Sequence, residues 1–521
     1  MNNKSSLWVK GLAVGMGVLF VACMLFAPTA LATTYYVDIV NGDDDYDGLA
    51  QTVGGGHGPW AHLPDTDGAS GSGWEVIQNG DTVYVKGGTT CNQEVKFSTT
   101  WYNGSAAFDS ILIKSGHLMG TPWGAGRAVY DMQDDYTAGF WIWKGNGITV
   151  EGFEIKNIKA GGVGKGFDTK SGNSCVAIGG WSSPYMNYTT IRDCYLHDST
   201  RSKDDQGHGI ETCNTDYIIV EKNIIGPNIG CKGVEIITGC DNGIIRNNYL
   251  TDCMEHGIVV VGNHYDVYNN ILRMVPPYNY DPFYSLKTYG NYIDIWNNLI
   301  FQTEMPSEPT AEDERAQGIG LFGSSSYHAD YNRVFHNTVY QFANTPNGRE
   351  WGTAMAIGSE RGLSPAHNEV ENNLFIKTKN MWGGIVLFLY KASTTNEIDF
   401  NDLYYDSTTE EIMEWGDNST STFYNAADLN SAALSNGNTA DDNVQADPVF
   451  TGGTFPSGFD GSWYPNTSYF ALTAGTPLAI RETDNALTGD GTHGYSSATD
   501  KFEEDILGNT RSNWSMGAYE Y

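Results

Sequence analysis

Nine short stretches of the chain follow one hydrophobic–polar template: a β-branched residue, two variable positions, a corner position, one variable position and an apolar residue. They read VEGFEI from Val150, IRDCYL from Ile191, VEKNII from Val220, IRNNYL from Ile245 and VYNNIL from Val267, then IWNNLI from Ile295, VFHNTV from Val334, VENNLF from Val370 and IDFNDL from Ile398. The corner position is Phe153, then Cys194, then asparagine seven times, at Asn223, Asn248, Asn270, Asn298, Asn337, Asn373 and Asn401. Each stretch is too short for a helix and alternates apolar with polar residues, which predicts strands. Successive asparagines lie 25, 22, 28, 39, 36 and 28 residues apart. The short intervals read as one circuit of a coil, and the longer ones as circuits with inserted loops. An asparagine at the same corner of every circuit can bond its amide to the next rung and satisfy turn backbone that would otherwise be buried without a partner.

A second column repeats in phase with the first. It runs Val176-Ala177-Ile178, Ile210-Glu211-Thr212, Val234-Glu235-Ile236, Ile258-Val259-Val260, Ile319-Gly320-Leu321, Met355-Ala356-Ile357 and Ile385-Val386-Leu387. The outer members of each triplet should point into the coil and the middle one outward. Glycines stand just before several of these strands, where a tight corner would use their conformational freedom. Leucines at the fixed spacing of a leucine-rich repeat are absent. The pattern predicts an all-β solenoid of parallel strands.

The ends change the picture. Lys4 and Lys10 precede and open an apolar run from Gly11 to about Phe26, and Ala30-Leu31-Ala32 offers small residues for cleavage. Residues 1–32 are therefore expected to be an export signal, which places the mature protein outside the cytoplasm, secreted or at the cell surface, with no remaining membrane span. Residues 33–125 read as an N-terminal cap with first strands, 126–405 as the coil, and 406–521 as a C-terminal cap, since a solenoid must cover its open ends. Acidic residues number 62 against 29 basic ones, a formal net charge of −33. Such a surface repels phosphate backbones and excludes nucleic acid as a partner. Export permits disulfides, yet the cysteines Cys175, Cys194, Cys213, Cys231, Cys240 and Cys253 show no metal-type spacing, and buried packing is the expectation for them.

Tyr35-Tyr36-Val37-Asp38, Asn41 to Asp44 and Asp47-Gly48-Leu49 at the start, with Asp447 to Phe450, Asp505 to Arg511 and Gly517 to Tyr521 at the end, resemble the opening and ending of exported β-helix proteins of the pectate-lyase-like superfamily. The resemblance spans nearly the whole mature chain. It implies a right-handed parallel β-helix and a polysaccharide partner for what is expected to be a monomer, but it leaves the chemistry open, because this architecture hosts lyases, hydrolases, epimerases and binding proteins.

Chemistry is expected on the outer face of the second column. Before its glycines stand His208, Lys232, His256 and Gln317, and Glu211 and Glu235 hold outward positions. Strands about 4.8 Å apart would stack these into a strip of acids and bases suited to proton transfer. Ser285-Leu286-Lys287-Thr288 with Asn291, read as part of a long insertion between rungs, resembles a segment of the alginate lyase and chondroitinase B family. That resemblance implies Lys287 as the base that removes the C5 proton of a uronic acid, with His256 or a tyrosine as acid. The arginine expected one rung on is replaced by Gly320-Leu321-Phe322-Gly323, so Arg315 could substitute only from a loop. Asp204-Asp205 with Gly207-His208-Gly209 resembles polygalacturonase elements at the wrong separation. Asp281-Pro282 resembles a mannuronan C5-epimerase motif, with Phe283 and Tyr284 in place of its essential His and Asp. Asp43, Asp45 and Asp47 have a spacing that can wrap Ca²⁺, with a hydrogen-bonded turn as the alternative. Bound Ca²⁺ would also ease the approach of an anionic polymer. Among the tryptophans, Trp296 reads as outward and able to stack on a sugar ring. The expected function is a polysaccharide lyase acting on a uronic-acid-containing polysaccharide by β-elimination; the alternatives are a glycoside hydrolase using Glu211 and Glu235, or a glycan-binding surface protein without catalysis.

Overall fold

The structure is a computed structural model. It describes residues 32–98, 101, 107–159, 173–180, 186–199, 207–274, 283–302, 315–341, 351–359, 363–377, 386–389, 393–405, 412–415, 421–432, 434 and 437–450. Successive circuits lay their strands into three long sheets. The first sheet takes 13 strands, from Thr34–Val37 to Thr439–Asp441. The second takes 11, from Thr90–Cys91 to Asp402–Tyr405, and the third takes 12, from Val95–Phe97 to Ser421–Phe423. All pairings between these strands are parallel except the last of the third sheet, where Met413–Trp415 meets Ser421–Phe423 antiparallel. The fold is a right-handed parallel β-helix, the hand that right-twisted strands impose on parallel crossovers. Rung strands extend on both sides of 126–405, since the first sheet begins at Thr34. No helix among the described residues is long and apolar enough to cross a membrane.

The nine-fold template spans the end of a first-sheet strand, a two-residue corner and the start of a second-sheet strand. The residue before the corner asparagine is left-handed at every rung from Asp193 to Phe400, with φ between 51° and 55°. That conformation turns the chain sharply enough to bury the next side chain. Asn298 shows what the buried amide does: its Oδ1 accepts from the Asn270 backbone N–H at 3.0 Å, and its Nδ2 donates to the Val267 carbonyl at 2.9 Å and to Asn337 Oδ1 at 3.0 Å. The same bonding runs unbroken from Cys194 to Asn443, one rung beyond the last asparagine of the template. A second ladder at the corner between the third and first sheets links Asn332, Asn368, Asn396 and Asn438.

Inward triplet members such as Ile210, Thr212, Val234 and Ile236 are fully buried, as the alternation requires. The glycines before them serve a different purpose from a tight corner. Gly209, Gly233, Gly257 and Gly318 face inward, and a Cβ there would lie 2.5 to 2.9 Å from Ile225, Leu250, Leu272 or Val339 of the second sheet. They are needed for close approach between sheets, not for left-handed backbone. All seven cysteines from Cys91 to Cys253 are free and buried, so the core is packed with thiols and not cross-linked. Burial pushes those of Cys175, Cys194, Cys231, Cys240 and Cys253 to or above the top of the range where a thiolate could form in water, which makes them inert.

Candidate active site on the third sheet

Parallel register sets residues of successive rungs side by side, so a column on the third sheet is a line of chemical groups. One outward column runs Ala177, Glu211, Glu235, Val259, Lys287, Gly320 and Ala356. A second runs Lys232, His256, Tyr284 and Gln317, with His208 paired to Ser174 at its start. Lys287 therefore belongs to a regular strand, Phe283–Thr288, in phase with Glu235, and not to an insertion. Its neighbour on the next rung is Gly320, as the sequence indicated. Arg315 is not in a loop: it opens the strand Arg315–Gly323, opposite Trp351, and its side chain lies outside the described residues. Asp204, Asp205, Asp281, Pro282, residues 1–31, where most of the expected export signal falls, and residues 451–521 also lie outside them.

The columns bring Glu211, Glu235, His208 and Lys232 into one cluster. One ligating atom each from His208, Glu211 and Glu235 lie within 4.8 Å of one another. Glu211 is 3% exposed and accepts a hydrogen bond from the Ser174 hydroxyl at 3.0 Å. Burial, then the nearby Glu235 carboxylate, push its pKa up to about 8, so it holds a proton at neutral pH. Glu235 is paired with the Lys232 ammonium at 3.1 Å and faces His208 Nδ1 at 3.4 Å. Burial opposes the charge on Lys232, but Glu235, Cys231 and Glu255 hold its pKa above the ordinary lysine range. His208 is 1% exposed, and neither ring nitrogen has a partner at hydrogen-bonding geometry. Burial and then Lys232 push its pKa down to about 3, leaving it neutral.

His256 and Lys287 form a second group on the following rungs. His256 Nδ1 accepts from the Tyr284 backbone N–H at 3.1 Å, so the neutral ring carries its proton on Nε2. Burial, followed by Lys287 and Lys232, holds its pKa well below the usual range. Lys287 Nζ lies 4.7 Å from the Tyr284 ring centroid, 5.0 Å from Tyr289 and 5.4 Å from Phe322, a cation enclosed by aromatic faces. It is separated from Glu235 by the Val259 strand.

Two expected binders lie elsewhere. Trp296 projects from the first sheet and not from this groove, 2% exposed and stacked between Tyr268 at 4.2 Å and Phe335 at 5.9 Å, so neither ring face is open to a sugar. The acidic loop is built as hydrogen-bonded turns. Asp43 Oδ1 accepts from Asp45 N at 3.0 Å, Asp45 Oδ1 from Ser72 N and Oγ at 3.1 and 2.7 Å, and Asp47 pairs with His57. Among the described residues only His208, Glu211 and Glu235 converge as a metal would need. An imidazole is a poor fit to Ca²⁺, which takes oxygen ligands, and Lys232 already supplies the cluster with a cation.

No protein-family model matches the chain, and no curated protein matches it in sequence. Among solved structures it is similar to the pectate lyase Pel9A, at 12% identity over 94% of this chain and 97% of that one, with a TM-score of 0.45. It is also similar to PfbA, a surface adhesin of Streptococcus pneumoniae, at 12% identity over 70% and 84% of the two chains, TM-score 0.42. A third is the GH136 lacto-N-biosidase of Eubacterium ramulus, at 12% identity over 79% and 67%, TM-score 0.37.

Proposed function

We propose that the chain is an exported carbohydrate-active enzyme, and that its chemistry is glycoside hydrolysis by the Glu211–Glu235 pair on the third sheet. The observation that carries this reading is one pair of carboxyl groups, a strand apart, in opposed environments. Glu211 is buried with its pKa at about 8, and Glu235 is ion-paired to Lys232 at 3.1 Å. Two titratable groups whose surroundings separate them in this way are an acid and a carboxylate awaiting distinct roles. Protonated Glu211 would deliver its proton to the glycosidic oxygen as the bond breaks. Glu235 would attack the anomeric carbon to form a glycosyl ester, and water, activated by the now ionised Glu211, would release the sugar. An oxygen of each carboxyl group lies within 4.8 Å of the other, which is closer than the roughly 6.5–9.5 Å of inverting enzymes and favours a retaining mechanism.

A lyase reading is supported by Lys232 and Lys287, which flank neutral His256 and could neutralise and deprotonate a uronate. A screen of the purified protein against neutral and acidic polysaccharides separates the readings. Hydrolysis releases reducing ends without the ultraviolet absorbance of unsaturated uronates. Absorbance gain would establish the lyase, and silence in both assays across the panel would sink both enzymatic readings.

A further inference from the structure

The first sheet carries a concavity built from residues other than the carboxyl pair. It has a volume of about 500 Å³ and is lined by residues of four successive rungs. One wall is an aromatic stack at the corner where the chain enters the sheet: His264, Tyr292, Tyr331 and His367, with centroids 4.9, 5.2 and 4.8 Å apart and planes within 10° of parallel. The floor is the adjacent outward column, Asp266, Asp294, Arg333 and Glu369.

All four stacked residues are left-handed, with φ from 56° to 60°. Bulky side chains rarely adopt that conformation, for which Asn is better suited, and Asn242 indeed holds the equivalent place one rung earlier. Stacking covers the ring faces, yet Tyr292 stays 50% and Tyr331 47% exposed, so ring edges and phenol hydroxyls line the groove at a fixed interval of one rung. Arg333 Nε donates to Asp294 Oδ1 at 2.6 Å, which fixes a planar polar pair at the centre of the floor. Planar carboxylates and a guanidinium beside aromatic edges, repeated at the strand spacing, match the alternating hydroxyl and C–H edges of an extended sugar chain lying along the coil. Three acids against one arginine would repel a uronate.

We propose that this groove binds a neutral glycan, as an anchoring site separate from the carboxyl pair. The inference does not depend on what the third sheet catalyses. Native electrophoresis of the full protein through gels containing xyloglucan, glucomannan, galactan, alginate or polygalacturonate tests it. At least one neutral polymer should retard the wild type, and the acidic polymers should not retard it through this groove. Tyr292→Asn/Tyr331→Asn keeps residues suited to left-handed backbone and should weaken the retardation about tenfold or more. Asp266→Asn/Glu369→Gln, which leaves the stack intact, should weaken it as well and serves if the tyrosine variant does not fold. Retardation unchanged in both groove variants, or no retardation by any neutral polymer, would overturn the proposal.

Discussion

Glu211→Gln isolates the cost of the buried carboxyl group. The wild-type pKa is about 8 in the fold against 4.5 for the free side chain, so the native state keeps a proton that the unfolded chain gives up between those values. A proton bound more tightly by the native state makes stability fall as pH rises through that window, and the loss is complete above about pH 8. At about 1.36 kcal/mol per pKa unit the full loss is on the order of 5 kcal/mol. Glutamine occupies nearly the same volume, can accept from the Ser174 hydroxyl, and does not titrate, so this contribution vanishes in the variant. Denaturant unfolding followed by tryptophan fluorescence should find the two proteins within about 1 kcal/mol at pH 5. By pH 9 the variant should be the more stable by several kcal/mol. Titrating groups remote from Glu211, such as buried Glu371, whose pKa is also pushed up to about 8, are common to both proteins and cancel in the difference. A difference that stays constant from pH 5 to pH 9 would refute the burial argument, and with it the assignment of Glu211 as the proton donor.

Other substitutions test the scaffold and the groove. Asn298→Leu strips the partner from the buried Asn270 N–H, and should cost on the order of 1–3 kcal/mol, read as a lowered melting temperature. Gly233→Ala places a Cβ 2.6 Å from Leu250 and 2.7 Å from the Gly257 carbonyl, and should destabilise by roughly 1–3 kcal/mol in the same assay. Lys287→Met should leave reducing-end release within a few-fold of wild type, because Lys287 is a full strand removed from Glu235; loss of all turnover would move the chemistry to the lysine.

The coil was legible because its physics is repetitive. Strand alternation can be read from Val150 to Leu403 and a corner asparagine in every circuit from Asn223 to Asn401, and both are present in the structure. The second ladder was available to the same reasoning: Asn332, Asn368, Asn396 and Asn438 each precede a member of the first ladder by five residues. Lys287 was misplaced for a local reason. Leu286-Lys287-Thr288 has the same apolar–charged–threonine pattern as Ile210-Glu211-Thr212 in the second column, but the Pro- and Tyr-rich stretch from Pro276 to Pro282 before it reads as a loop and masks the strand. The glycines were recognised, but sequence could not distinguish a need for left-handed backbone from a need for space, which depends on how near the second sheet lies. Trp296 was read correctly as outward. Outward from the first sheet is a different surface from the third-sheet groove, and the stack with Tyr268 and Phe335 depends on neighbours 28 and 39 residues away. The Asp43–Asp47 loop has a spacing shared by cation loops and hydrogen-bonded turns, and only the positions of Ser72 and His57 distinguish them.

Division of labour between the two glutamates is the centre of the account, and leaving-group dependence measures it directly. The assay compares wild type, Glu211→Gln and Glu235→Gln on the polysaccharide that the screen identifies and on an aryl glycoside of the same sugar with an acidic phenol. An acid is needed in the first step only when the leaving group is poor, so Glu211→Gln should lose most turnover on the polymer yet release a burst of phenol from the aryl glycoside, with later turnover slowed by loss of the base and restored by azide, a nucleophile that needs none. Glu235→Gln should lose both, since no carboxylate is left to attack the anomeric carbon. Wild-type turnover on the polymer by either variant would contradict the account.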